Sequence, residues 1–383
     1  MIFRNKILVI VLILSVGLIV PAIFLIENQR NNILIRNIYE DYKSEYIDPV
    51  SFRVIDKQKN GITTSEGQSY GMLMSMWMND QSTFDKVWKW TQDNLQKPDS
   101  NSFSWLWGKD QKGEYKIISE QGGDNVATDG DIDIAFALIK GSKKWNDPKY
   151  AEFAKKIITD IWNNQVVITK NGKYILASND LEKKFQKSEI LVNPSYFNPA
   201  AFKEFSIINS DSNWDRLIVD SYEILEKSSS ANLDKTNSVF LPPDWISVNY
   251  QSGSVSPVNN PNFPTTFGFE AARTIWRVGL DYELNQSPLA SAYLEKLNFY
   301  KKEWNNKGLL YTIYNHDGTV NGNYESKFAY STSLGYFKNF DKSIGSQIVN
   351  QKLNRSEILN QQMSYYDSSW VFFGLGLYHG YLT

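Results

Sequence analysis

The chain has 383 residues, 42% of them hydrophobic and 21% charged, which is enough apolar material for one large domain or two ordinary ones. A net charge of −2, from 40 basic and 42 acidic residues, offers neither the basic surplus of a nucleic-acid binder nor an acidic tail. Cysteine is absent and the only histidines are His316 and His379, which excludes disulfides, thiol catalysis and cysteine- or histidine-rich metal sites.

Residues 7–26, "ILVIVLILSVGLIVPAIFLI", are twenty uncharged positions, the length that spans a bilayer core. Arg4 and Lys6 precede the run and Glu27 follows it, so the charge asymmetry places the N-terminus in the cytoplasm and the rest outside. A cleaved signal peptide is the competing reading. Its apolar core is usually shorter, about 7–15 residues, and the run shows no A-x-A cleavage pattern. The expectation is therefore a signal-anchor helix over 1–27, then one extracytoplasmic domain over 28–383, with secretion after cleavage as the alternative.

After the anchor, apolar residues at three-and-four spacing predict helices starting near Asn31, Glu66, Gln81, Asp129, Pro148 and Phe197. Six more are predicted near Ser212, Thr266, Pro288, Glu325, Asp341 and Gln362. Long loops cover 98–128, 164–196 and 229–265. Within the second, "QVVITKNGKYILAS" reads as a hairpin turning at Asn171-Gly172. Twelve helices with large loops fit an all-α barrel of six helix pairs, its loops forming a groove at one end. Periodicity alone equally allows an irregular all-α fold.

The second predicted helix opens with a lone acid in "TSEGQSYGMLMSMWMND". Ser65 and Gln68 have capping-box spacing, which puts Glu66 in the first turn. There it either complements the helix dipole or serves as a catalytic acid. "GQSYG" fits G-x-S-x-G, but a nucleophile elbow follows a buried strand and "DKQKNGITTS" is polar, so Ser69 is set aside as a nucleophile. Further on, Trp105 and Trp107 in "FSWLWG" alternate along extended chain and suit either a sugar platform or the core. Tyr70, four residues after Glu66, and Trp245 are weaker candidates of that kind.

The fourth predicted helix opens "NVATDGDIDIAFALIKGSKKW", with Thr128 as its cap and Asp129 and Asp133 on one face. A calcium loop is rejected, because its sixth position is Ile134 instead of Gly and its twelfth is Lys140 instead of Glu.

Taken together, "SEGQSYGM", "ATDGDIDIAFALIKGSKKW", "WLWG" and "NPSYFNPAAF" resemble glycoside hydrolase family 8, a family of endoglucanases, chitosanases, xylanases and exopolysaccharide hydrolases. The resemblance spans essentially the whole chain after the anchor and departs from the signature at Gly141, where alanine is usual. It implies an (α/α)6 barrel, with Glu66 as general acid, Asp129 holding the sugar at the cleaved position and Tyr196 positioning the attacking water. The family's usual base, the Asp of Y-D-A-x-R, falls on Glu270 in "FGFEAARTIWR", with Arg273 three residues on. Glu270 is therefore the expected base, oriented by Arg273, and Asp244 in "LPPDW" is the alternative.

The resemblance implies inversion on a β-linked, β-1,4 or exopolysaccharide, substrate, with no cofactor and no metal. It makes a polysaccharide the expected partner and exopolysaccharide synthesis or secretion machinery a further one, while the N-terminal run makes the membrane a partner. A non-catalytic carbohydrate-binding protein on the same scaffold, or a chitosanase or xylanase of the same family, is the alternative.

Overall fold

The computed structural model describes residue 27, residues 29–359 and residues 362–382. The expected anchor over 7–26 lies outside them. Among the described residues no helix is long and apolar enough to cross a membrane.

Among the described residues, twelve helices start within a few residues of the predicted positions. They are α1 (29–46), α2 (Ser65–Trp77), α3 (Gln81–Leu95), α4 (Thr128–Trp145), α5 (Pro148–Gln165) and α6 (Pro199–Ile208). The second half supplies α7 (Trp214–Ser230), α8 (Ala271–Asn285), α9 (Pro288–Lys296), α10 (Lys327–Phe340), α11 (Lys342–Lys352) and α12 (Tyr365–His379). Three further helices among the described residues, Leu181–Lys184, Phe299–Lys307 and Arg355–Leu359, escaped the periodicity reading.

The even-numbered helices form an inner ring. Packing runs α2 on α4, α4 on α6, α6 on α8, α8 on α10 and α10 on α12. Tyr70 of α2 closes the ring by meeting Trp370 and Phe373 of α12 edge-on. The odd-numbered helices pack outside, α3 on α2, α5 on α4, α7 on α6, α9 on α8 and α11 on α10. Helix α1 reaches α12 through Tyr39 and Phe372.

Composition separates the two rings. In α5, Tyr150, Ala154, Ile157, Ile158 and Ile161 bury a single stripe, the pattern of a helix with one wet side. In α2 and α12 nearly every residue is buried, so their sequences are apolar or small all round. Small residues let inner helices touch backbone to backbone. A Cβ on Gly279 of α8 would lie 2.7 Å from Gly335 Cα of α10. A Cβ on Gly130 of α4 would lie 2.4 Å from Ser65 Oγ of α2.

The three long loops carry short antiparallel sheets. β1 (Thr63–Thr64), β2 (Leu106–Lys109) and β3 (Tyr115–Ile117) form the first, and β4 (Val166–Ile168) and β5 (Tyr174–Leu176) the predicted hairpin. Its turn is made by Asn171 and Gly172, the latter at φ +80°. β6 (Glu189–Val192), β7 (Ile246–Asn249) and β8 (Val255–Ser256) tie the second long loop to the third.

Two caps differ from expectation. Helix α2 starts one residue early, and Thr64, not Ser65, accepts from Gly67 N at 3.0 Å. Gln68 makes no capping box. Its Oε1 accepts from Val54 N and its Nε2 donates to Thr91 Oγ1, which locks α2 to its surroundings. Thr128 likewise does not cap α4, because its hydroxyl donates to Ala177 O across the barrel wall.

Candidate active site

Inner helices α2, α4, α8 and α12 begin at one end of the barrel, and their first turns carry Glu66, Asp129, Arg273 and Tyr366. Helix N-termini are the positive ends of helix dipoles, so this face gathers carboxylates at limited cost. The close contact of Gly130 with Ser65 sets the first turns of α2 and α4 side by side, which brings Glu66 and Asp129 to one point.

Arg273 organises the site. Its Nη1 donates to Glu66 Oε2 at 2.5 Å and to Asp129 Oδ2 at 3.1 Å, and it lies 3.4 Å from Tyr70 Oη. Its Nη2 donates to Glu270 Oε2. Glu66 and Glu270, distant in sequence, thus occupy the two terminal nitrogens of one planar guanidinium, a rigid fork that fixes their relative placement. The side chains of Arg273 and Asp129 are sealed below, whereas those of Glu66 and Glu270 keep 22% and 32% exposure. The two acids with proton-transfer roles in the sequence reading are the two that solvent can reach.

One turn deeper the pattern repeats. Arg277 grips Asp133 with both terminal nitrogens at 2.8 Å, and Asn198 Nδ2 adds a third bond at 3.0 Å. The i,i+4 spacing of Asp129 and Asp133 on α4 matches that of Arg273 and Arg277 on α8, giving two ionic rungs across the bore. Asp131 points away, accepting from Phe103 N and Gln165 Nε2, and burial pushes its carboxyl up to about 7.

Burial also raises the Glu66 carboxyl to about 7. The Arg273 cation opposes the rise, while the charges of Asp129 and Glu270 add to it. Asp129 is lifted to about 6 by burial, against the pull of Arg273. Burial thus shifts Glu66 toward its protonated form, the state a general acid needs.

Glu270 is held by a second donor, Asn193 Nδ2, at 2.7 Å. It sits at the N-cap of α8 with αR backbone but caps nothing with its side chain. That task falls to Asp244, whose Oδ1 accepts from the N–H groups of Gly268, Glu270 and Ala271 at 3.0, 3.0 and 2.7 Å. This explains why α8 starts at Ala271 and not near Thr266, since the amides of the preceding turn are turned toward a loop carboxylate. Asp244 is itself buried, its carboxyl raised to about 7 chiefly by burial. It lies beneath Glu270 as a backbone anchor, so the alternative base and the expected base form one unit.

The remaining sequence candidates divide. Tyr196 is nearly buried, with the Arg273 guanidinium 5.6 Å from its ring centre and Trp245 against its edge. Tyr70 is fully buried, so it is no sugar platform. Its helical spacing from Glu66 points it along the barrel axis under Arg273. Trp105 is half-buried, donates through Nε1 to Gly122 O at 2.8 Å, and its carbonyl accepts from Ser65 N one residue before Glu66. Trp107 stacks on Tyr115 and has Arg53 4.9 Å from its ring centre, so its faces are committed within the protein. Ser69 is buried and donates to Glu66 O inside α2, which is not the geometry of an elbow.

Sequence reasoning missed Asn193, Arg277 and Tyr366, whose hydroxyl donates to Phe269 O beside Glu270. Asn193 opens the "NPSYFNPAAF" stretch already singled out, and Arg277 closes "FGFEAARTIWR", at helical spacing from Arg273. Both signals were present. Tyr366 had none.

Comparison with known proteins agrees with this architecture. Endoglucanase A of Acetivibrio thermocellus is 28% identical over 303 residues, which is 77% of this chain and 58% of that protein. Endoglucanase 2 of Ruminiclostridium josui is 30% identical over 284 residues, 72% of this chain and 56% of that protein. The chain thus spans less than two thirds of either relative's length. Among solved structures, the endo-beta-1,4-glucanase CMCax of Acetobacter xylinum superposes with a TM-score of 0.72 at 22% identity, covering 91% of this chain and 98% of that one. The beta-1,3-1,4-glucanase of Paenibacillus sp. X4 superposes with a TM-score of 0.75 at 22% identity, covering 92% and 93%. These two likenesses concern the fold. The family model for glycosyl hydrolases family 8 matches residues 20–380, and the chain belongs to that family.

Proposed function

We propose that this chain is an inverting endo-β-glycanase that cleaves a β-linked, β-1,4 or exopolysaccharide, substrate outside the cell membrane, to which its N-terminal segment anchors it. The observation that carries the chemistry is the pair of partly exposed carboxylates, Glu66 and Glu270, on the two arms of Arg273. Protonated Glu66 donates to the glycosidic oxygen as the bond to the anomeric carbon breaks. Glu270 takes a proton from water, whose oxygen attacks that carbon from the opposite face. Inversion needs carboxyls about 6.5–9.5 Å apart, with room for the water. Glu270 gains that room by swinging off Arg273, which its exposure and its place outside the helix body allow. Asp129, held deep by Arg273 with 3% of its side chain exposed, meets the sugar at the cleaved bond through that remaining surface, and Tyr196 orients the water. The names of the similar proteins, endoglucanases and a β-1,3-1,4-glucanase, support a glucan as the first substrate to try.

The test measures reducing-sugar release from β-1,4-glucan, lichenan, xylan, chitosan and a bacterial exopolysaccharide, with NMR detection of the first anomer formed. Glu66→Gln and Glu270→Gln serve as controls. Release of the inverted anomer, lost in both variants, supports the proposal. Retained binding with no release from any polymer would instead identify a non-catalytic carbohydrate-binding protein.

A further inference from the structure

We propose that the barrel face opposite the groove lies against the bilayer, so that the enzyme stands on the membrane with its groove facing outward. This rests on the anchoring reading above and adds an orientation to it.

The geometry starts from the ends of the helices. Glu66, Asp129 and Arg273 sit in first turns of inner helices, so the last turns of those helices define the opposite face. Helix α1 begins at that opposite face. Asn31 Nδ2 lies 3.1 Å from the Nδ1 of His379, the last residue of α12. The uncharged run ends at Ile26, five residues before this contact. Five residues reach at most about 17 Å even when fully extended. A span over 7–26 therefore brings the Asn31–His379 corner of this face within that distance of the lipid headgroups, and the surface around that corner decides whether the rest of the face follows.

The surface suits that neighbour. Partly exposed rings of Trp77, Trp145, Tyr378 and Tyr381 stand at the last turns of α2, α4 and α12 and just beyond. Ile33 at 51%, Ile207 at 69% and Leu289 at 39% exposure lie on the same face. Arg36, Lys144 and Lys342 are exposed among them. A hollow of about 240 Å³, lined by Arg36, Trp77, Met78, Phe372 and Tyr381 with Asn32 and Ile35, opens beside the first turns of α1. Amphipathic rings with interspersed Lys and Arg are the composition of a membrane–water interface. Asp147 and Glu283 are interleaved on this face, so the contact should depend on rings more than on net charge and should respond weakly to salt.

The absence of cysteine makes the test clean, because an introduced thiol is unique. The full chain is reconstituted in phosphatidylcholine vesicles carrying a nitroxide-labelled lipid. A fluorophore is placed on Lys342→Cys or Leu289→Cys at the opposite face, or on Asn259→Cys in a groove-side loop. The proposal expects the vesicles to float the protein, with at least threefold stronger quenching at 342 and 289 than at 259, unchanged at high salt. Flotation with equal quenching at all three positions overturns the orientation and leaves the anchor standing. Failure to float overturns both. Protection of 342 and 289 only in native membranes, and not in pure lipid, assigns the face to a protein partner and also refutes the proposal.

Discussion

Replacing Asp244 by alanine removes the acceptor shared by Gly268 N, Glu270 N and Ala271 N. Each stranded amide costs about 1 kcal/mol or more, so the variant should lose about 3 kcal/mol of stability, less whatever water recovers in the space left behind. The larger effect is positional. Glu270 hangs from that turn, and a shift of about 1 Å in a catalytic group can cost about 10²-fold in rate. Asp244→Asn keeps a carbonyl at the same place, so it should hold the turn and stay within about tenfold of the parent. The assay is steady-state hydrolysis of the polymer identified by the panel, with kcat and KM separated and thermal melting in parallel. The expected outcome is a kcat loss of about 10²-fold in the alanine variant at nearly unchanged KM. If folded Asp244→Asn is as inactive as Glu66→Gln, Asp244 takes part in the chemistry itself and the assignment of Glu270 as base fails.

Other consequences can be checked with the same reagents. Glu66→Gln should lower kcat by about 10²–10⁴-fold with binding retained, read by equilibrium binding beside turnover. The Glu66 carboxyl is lifted to about 7, so in its proposed role as proton donor kcat/KM should fall as pH rises through about 7. Asp129→Asn removes one of the charges that hold that carboxyl up, so the alkaline limb should move to lower pH as activity drops. An unmoved limb refutes the coupling. Asp131 and Asp244 are also raised to about 7, well above an unfolded Asp. Their stabilising contribution is complete below about pH 4 and is lost as pH rises through about 7, so on their account the protein should melt higher at pH 5 than at pH 8. Gly130→Ala puts a methyl 2.4 Å from Ser65 Oγ and should cost about 1–3 kcal/mol by calorimetry while misplacing Glu66.

Helix positions were largely legible because caps and apolar spacing are local. Asp147 followed by Pro148 marks the start of α5 within the sequence itself. Where distant residues decide, the reading slipped. Asp244 sits 26 residues before Glu270, and no window on the sequence reveals that it takes the amides of Gly268, Glu270 and Ala271. Thr64 and Ser65 are adjacent hydroxyls, and only the contact of Ser65 with Gly130 makes Ser65 a packing residue and Thr64 the cap. The acids of the site stood out by pattern and resemblance. That a single arginine joins three of them did not, because the convergence depends on how α2, α4 and α8 are arranged around the ring. Tyr70 shows the limit of helical spacing, which correctly put it on the same side as Glu66 but could not tell the solvent end of that side from the sealed end.

The backbone-to-backbone contact of Gly279 with Gly335 has a practical consequence for anyone modifying this protein. Swapping helical glycine for alanine is a common route to thermostability, because it restrains the denatured chain. Here a methyl at either position would wedge two neighbouring staves apart, so a consensus or library approach should leave both untouched. The three long loops carry no such backbone contact between staves, so changes are better tried there than at either glycine.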